Sequence, residues 1–162
     1  ELSKARADAV RTHKKRVPLL LKIAPDIDSG ECEDIAENVI LTGIDGLIVS
    51  NTTISRPQSL TSHNRGEEGG LSGAPLFSLS TKILAEMYNL TGGKIPIIGV
   101  GGIASPEDAY AKVLAGASLV QLYSALIYQG FGLIHLINAQ LPKLLARDGF
   151  SSLSEAVGTG AN

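Results

Sequence analysis

Tryptophan is absent from the 162 residues, aromatic side chains make up 4% of them, and there is one cysteine and one methionine. A lone cysteine closes no internal disulfide, and no Cys/His pair stands at metal-ligand spacing. The chain therefore carries neither a disulfide framework nor a zinc or iron–sulfur motif, and no metal site is expected. Cys32 reads as a small apolar helix residue. Neither sign of charge dominates: 14 Lys and Arg against 16 Asp and Glu give a formal net charge of -2. Such a balance sets up no global field toward nucleic acid, and a small molecule is the better default ligand. No apolar run reaches the roughly 18 residues of a membrane-spanning helix, because Lys22, Gln121 or glycines interrupt the longest ones. What is plentiful is aliphatic side chain and glycine, with 44% hydrophobic residues, 18 Gly and 7 Pro, a composition that excludes disorder and collagen-like repeats. The length suits one domain with a real core. The chain opens on Glu1 without an initiator Met or a signal-peptide pattern, so a fragment of a longer polypeptide is expected.

Along the chain one pattern recurs. Glu1 to Arg16 sets Leu2, Ala5, Ala9 and Val10 near one helical face and ends in Lys14, Lys15 and Arg16, where cations suit a helix C-terminus. Leu19 to Pro25 then forms an apolar run holding one cation, Lys22, the mark of a strand buried on both faces. Ser29 is placed to cap a helix with Cys32, Ile35, Ala36, Val39 and Ile40 at helical spacing, and Gly43 to end it. The second unit is the strand Gly46–Val49, a polar loop from Asn51 to about Gly73, and a helix with Leu79, Ile83, Leu84 and Met87 inward. The third is the strand from Ile95 to Val100 and a helix opened by Ser105, Pro106, Glu107 and Asp108, an N-cap followed by a proline at the first helical position. The fourth is the strand from Ser118 to Leu122 and a helix holding Ile134, Ile137, Asn138, Leu141, Leu144 and Leu145, which Pro142 should kink or interrupt.

Successive strand–helix units imply parallel strands joined by right-handed crossovers, an α/β fold. Two closures fit: an open doubly wound sheet, or a (β/α)8 TIM barrel, which needs about 250 residues and so about twice the units present. In the barrel reading the chain is its last four β/α units and must be completed by a segment outside this sequence.

Ligands of parallel α/β folds sit at the carboxyl ends of the strands, and each end is unusual here. Lys22 lies on the side of Leu20 and Ala24, where burial of an ammonium calls for a ligand anion or a buried carboxylate partner. Ser50, Asn51, Thr52 and Thr53 offer adjacent hydrogen-bonding groups suited to a small polar ring or carboxylate, or to ordinary turn chemistry. The loop to Gly73 is longer than connections usually are and reads as an active-site cover or an insertion, with His63, Glu67 and Glu68 solvated. Gly69, Gly70 and Gly73 would let backbone approach a ligand. Gly99-Val100-Gly101-Gly102 after the third strand and Tyr123-Ser124 after the fourth stand where barrels often build a phosphate site from backbone N–H groups. No general base emerges: His13 lies in the basic tail, His63 in the loop and His135 in the last helix, without a Ser–His–Asp or Cys–His order.

These stretches together resemble the dihydroorotate dehydrogenases, in their quinone-dependent class 2 form. The residues that carry the likeness are Lys22-Ile23-Ala24-Pro25-Asp26, Gly46 to Thr53 with Arg56-Pro57, Gly69-Gly70-Leu71-Ser72-Gly73, Ile98 to Ile103, and Gly116 to Tyr123. The likeness spans nearly the whole chain, in order, and is to the C-terminal half of those enzymes. It implies that residues 1–162 are half of one FMN-binding TIM-barrel domain that oxidises dihydroorotate to orotate in pyrimidine synthesis and passes the electrons to ubiquinone. By the same resemblance Lys22 and Ser50 contact the flavin, and Asn51 and Thr52 hold the substrate. Gly73, Gly101 and Gly102 approach the cofactor by backbone, and Tyr123 and Ser124 line its phosphate end, Tyr123 also lying beside the quinone channel. The catalytic base is a serine on a loop outside this chain, and the membrane-contacting helical hairpin also lies outside it. A mitochondrial inner-membrane location follows from the resemblance alone, no targeting segment being present. The partners implied are dihydroorotate, ubiquinone and the N-terminal half of the enzyme.

Two departures stand out. Gly130-Phe131-Gly132 replaces a Gly-Pro turn, and Pro142 falls in a helix that the family keeps uninterrupted. Rival readings are another FMN- or phosphate-binding barrel oxidoreductase, against which Asn51 and Thr52 argue, and a noncatalytic half-barrel scaffold, in which Lys22 inside an apolar strand would serve no purpose.

Overall fold

The computed structural model describes residues 1–161. Four short strands form one parallel sheet in the order β1-β2-β3-β4: β1 (Leu20–Ile23), β2 (Gly46–Val49), β3 (Ile97–Val100) and β4 (Leu119–Gln121). Spatial order follows chain order without reversal. A doubly wound sheet reverses at a switch point, so the unreversed order is the winding of a barrel wall. Helices α1 (Leu2–His13), α2 (Ser29–Thr42), α3 (Phe77–Thr91), α4 (Pro106–Leu114), α5 (Ser124–Gln129), α6 (Gly132–Arg147) and α7 (Leu153–Ala156) complete the fold. In register, Ile23 stands beside Val49, Val49 beside Gly99 and Gly99 beside Val120, which brings the carboxyl ends of the strands level.

The main core lies between sheet and helices. Leu47, Val49 and Ile97 of the strands meet Cys32, Ala36 and Val39 of α2 and Ile83, Leu84 and Met87 of α3. Burying each Val, Leu, Ile or Met side chain among them contributes about 1.5–3 kcal/mol. A second cluster joins Ile103 and Ala109 to Leu133 and Ile137, and a third joins Tyr110 and Val113 to Leu145 and Ala156. These two fasten α6 and α7 onto α4.

Several expectations are corrected. The cap of α2 is Asp28, not Ser29: the Glu31 N–H donates to Asp28 Oδ1 (2.9 Å) and the Asp28 N–H to Glu31 Oε2 (2.9 Å), a reciprocal box that satisfies two orphan donors. Strand β1 is not buried on both faces. It has one neighbour, β2, and Leu21 and Lys22 are both exposed. Pro142 does not interrupt α6, which runs through it as one helix. Its ring and Asn138, whose carbonyl loses a donor, both lie on the exposed face, so the freed carbonyl is open to solvent. The last helical region is also divided, α5 preceding α6, and α7 was not expected. Ile40 and Ile134, placed inward by spacing, lie at the margins of their stripes and are exposed. No residue of α1 is buried; the helix is held by Arg6, which, like Arg16, pairs with Asp45. The expected ends hold elsewhere: Gly43 closes α2 in the left-handed conformation, and Ser105 caps α4 by accepting the Asp108 N–H at 3.0 Å. Outer strands β1 and β4 each leave one edge unpaired, and Leu119 is 63% exposed.

Candidate active site

At the carboxyl ends of the strands an open cavity of about 420 Å³ collects residues from every unit of the chain. Its lining includes Lys22, Ser50, Asn51, Thr52, Gly73, Gly101, Gly102, Tyr123 and Ser124, whereas Thr53, Gly69 and Gly70, also offered by sequence, stand outside it. Lys22 projects from the end of β1. Its ammonium donates to no group among the described residues.

The segment after β2 is fixed by its backbone. The Ser50 N–H donates to Val100 O (3.2 Å) and the Asn51 N–H to Ile23 O (2.8 Å), so neighbouring strand ends hold it on both sides. Ser50 is buried and its hydroxyl donates to Asn51 O (2.9 Å). Asn51 Oδ1 accepts the Thr52 N–H (2.9 Å), which leaves the Asn51 amide N–H groups to face a ligand. Asp26, just past β1, accepts from the hydroxyls of Thr53 and Ser55 and from the Ile54 N–H, and these bonds hold its carboxyl below the usual value although burial opposes them. The long loop is folded back on itself. Thr53 and Leu71 form an antiparallel bridge, and the Arg56 guanidinium donates to the carbonyls of Ile54, Glu67 and Gly69 at 3.1, 2.8 and 2.7 Å. Gly70 leaves room here for Thr52, whose side chain a Cβ would overlap. His63, Glu67 and Glu68 are exposed and do not line the cavity.

The opposite side of the cavity is backbone. Gly102 has φ +76°, and a Cβ on it would come within 2.6 Å of the Phe77 backbone. The Gly102, Tyr123 and Ser124 N–H groups find no acceptor among the described residues. Ser72 Oγ and Ser124 Oγ share a hydrogen bond (2.9 Å) that ties the loop to α5. Clustered N–H donors beside hydroxyls suit a dianionic oxygen group. No carboxylate, imidazole or thiol lines the cavity, and no group of three or more His, Cys, Asp or Glu able to hold a metal occurs among the described residues. No described helix is long and apolar enough to cross a membrane.

Some contributors had no role assigned from sequence, although Asp26, Arg56 and Ser72 stand within the runs that carry the resemblance. Ser72, Tyr128 and Gln129 line the cavity, while Asp26 and Arg56 brace it. Asp26 carried a signal, standing directly after Pro25 at a strand end. Lys112 was also missed: fully buried, it donates to Ser80 Oγ at 2.6 Å and lies 5.0 Å from the centre of the Phe77 ring. Burial pushes its amine down to about 7, with Asp108 opposing. Its signal was a cation between Ala109 and Val113 on the inward stripe of α4.

Comparison with known proteins places this geometry. Residues 1–145 match the sequence profile described as dihydroorotate dehydrogenase. The chain is 54% identical over its whole length to the dihydroorotate dehydrogenase (quinone) of Parvibaculum lavamentivorans, covering 47% of that protein. It is 58% identical over 142 residues to the mitochondrial dihydroorotate dehydrogenase (quinone) of rice, covering 87% of this chain and 30% of that one. The crystal structure of an Eimeria tenella dihydroorotate dehydrogenase in complex with ferulenol superposes with a TM-score of 0.86 at 45% identity, over 89% of this chain and 38% of the other. The chain thus spans less than half the length of these relatives, and the four-stranded sheet corresponds to part of a TIM barrel. With sequence profile, relatives and superposed structure in agreement, the chain belongs to the dihydroorotate dehydrogenase family.

Proposed function

We propose that this chain supplies most of the FMN cradle and part of the substrate site of a quinone-dependent dihydroorotate dehydrogenase, which oxidises dihydroorotate to orotate in pyrimidine synthesis and delivers the electrons to ubiquinone. The observation that carries the reading is the convergence of Lys22, Ser50, Asn51, Thr52, Gly73, Gly101, Gly102, Tyr123 and Ser124, from four separate strand ends, on one cavity.

The residues fit FMN. The unpartnered N–H groups of Gly102, Tyr123 and Ser124, with the Ser124 hydroxyl, suit a phosphate, and the collision that a Cβ on Gly102 would meet with Phe77 keeps that turn free of a side chain. The Lys22 ammonium is available to an anionic ring edge, and the cavity volume is of the size that small-molecule sites have. When bound, FMN supplies a two-electron acceptor. Around it the chain's residues bind and orient: Lys22 and Ser50 hold the flavin, while the Asn51 amide and Thr52 hydroxyl hold the substrate. Residues 1–162 then form the C-terminal half of one barrel domain. Its N-terminal half brings the remaining strands, the serine that takes the substrate proton, and the helices that meet the membrane. Tyr123, 79% exposed, borders the route to the quinone. Because ubiquinone is dissolved in lipid, the enzyme works at a quinone-bearing membrane, the mitochondrial inner membrane in a eukaryotic host.

The test is the visible spectrum of the full-length protein before and after anaerobic addition of dihydroorotate. Flavin bands that bleach are expected. Flavin that fails to bleach would point to a barrel oxidoreductase for another substrate, and absence of flavin would refute the cradle.

A further inference from the structure

A buried lysine and a buried serine sit behind the cavity, touching nothing in it. Ser80 on α3 is fully buried, and its hydroxyl lies 3.1 Å from Gly101 O and 3.1 Å from Phe77 O. Phe77 O already accepts the Thr81 hydroxyl at 2.6 Å, whereas Gly101 O has no other donor among the described residues. Lys112 on α4, also fully buried, donates to Ser80 Oγ at 2.6 Å. With one lone pair of Ser80 Oγ occupied from the lysine side, the hydroxyl hydrogen turns toward a carbonyl, and Gly101 O is the one with nothing else to satisfy it.

That bond has a consequence across one peptide unit. A trans peptide is planar, with its C=O and N–H pointing in opposite directions. The Gly101–Gly102 peptide is trans. Pinning Gly101 O toward Ser80 therefore turns the Gly102 N–H away from Ser80, in a turn whose two glycines both line the cavity. Two successive glycines at φ +105° and +76° form a loose turn on their own, because glycine populates many backbone states. Something outside the turn must select one state.

We propose that Ser80 and Lys112 are positioning residues for the phosphate end of the cofactor site: Ser80 fixes the Gly101–Gly102 peptide so that the Gly102 N–H faces the phosphate, and Lys112 fixes the Ser80 hydroxyl. The proposal rests on the FMN reading above and deepens it. Neither side chain touches the ligand. Their effect is confined to the phosphate, so the flavin ring should not sense their loss.

The experiment uses the full-length protein freed of flavin, titrated with FMN and, separately, with riboflavin, which lacks the phosphate, while flavin fluorescence is followed. For Ser80→Ala, FMN affinity is expected to fall about tenfold, equivalent to about 1.4 kcal/mol. Riboflavin affinity should stay within about twofold, since the ring contacts are untouched. Lys112→Met, nearly isosteric, should show the same selective loss at about threefold, and serves alone if Ser80→Ala does not fold. Parallel weakening of both ligands, or unchanged FMN affinity in both variants, would overturn the proposal while leaving the flavin reading intact. A parent protein that binds no FMN would overturn both.

Discussion

Lys112 should leave a pH signature in stability, and its direction follows from burial. The folded amine is pushed down to about 7 by desolvation, with Asp108 opposing, against an ordinary value of 10.5. Below pH 7 both folded and unfolded states hold the proton, and the folded state bears the full cost of a buried charge. Between pH 7 and 10.5 the unfolded chain keeps a proton that the folded one has released, so stability rises with pH. Integrated from pH 7 to 9, the gain is about 2 kcal/mol. Cys32 works the other way above pH 9.0, because burial pushes its thiol up to about 11, so pH 9 is the upper limit of a clean window. The assay is urea unfolding of the full-length protein and its Lys112→Met variant at pH 7, 8 and 9 and fixed ionic strength. The variant has no amine to release, so its stability relative to the parent should fall by about 2 kcal/mol across the window. A relative stability that is flat with pH, or that moves in the variant's favour, would refute the assignment of a depressed, desolvated amine.

Other outcomes follow from the same geometry. Lys22→Ala should change stability by no more than about 0.5 kcal/mol, because the ammonium pairs with no group among the described residues, yet lower FMN affinity or reduction rate; a titration beside a denaturant curve separates the two. Gly102→Ala places a Cβ 2.5 Å from Phe77 Cβ at φ +76°, and should cost about 2–4 kcal/mol by strain and overpacking and remove FMN binding, read by denaturation and flavin content. Asp26→Ala removes the acceptor of the Thr53, Ile54 and Ser55 bonds and should raise the dihydroorotate KM about tenfold with FMN content unchanged, since the Asn51–Thr52 segment loses its anchor. Because the folded Asp26 carboxyl is held below 3.8, its contribution is present above that pH and lost as pH falls through the folded value, which acid unfolding of parent and variant would show. Leu84→Ala, in the fully buried centre of α3, should cost about 2–5 kcal/mol in urea unfolding.

Much of this molecule is written locally. Gly46-Leu47-Ile48-Val49 and Ile97-Ile98-Gly99-Val100 are short apolar runs next to amphipathic helices, and that alternation permits little besides a parallel α/β sheet. Because ligands of such sheets lie at the carboxyl ends, the gathering of Lys22, Ser50, Asn51, Gly102 and Tyr123 at one end of the sheet was legible before any contact was known. Helix caps were legible to within a residue, as Ser105 and the shift from Ser29 to Asp28 show.

Other features belong to distance in space. What stands beside Lys22 depends on the strand order around β1, which no local pattern expresses. The brace of Asp26 on Thr53 spans 27 residues, that of Arg56 on Gly69 spans 13, and the link from Lys112 to Ser80 spans 32. Sequence by itself determined the strand–helix rhythm and which residues stand at the strand ends, because periodicity and turn chemistry act over a few neighbouring residues. Only the tertiary structure decided which polar groups meet behind the cavity, because a buried hydrogen bond is chosen by the packing of whole helices against the sheet.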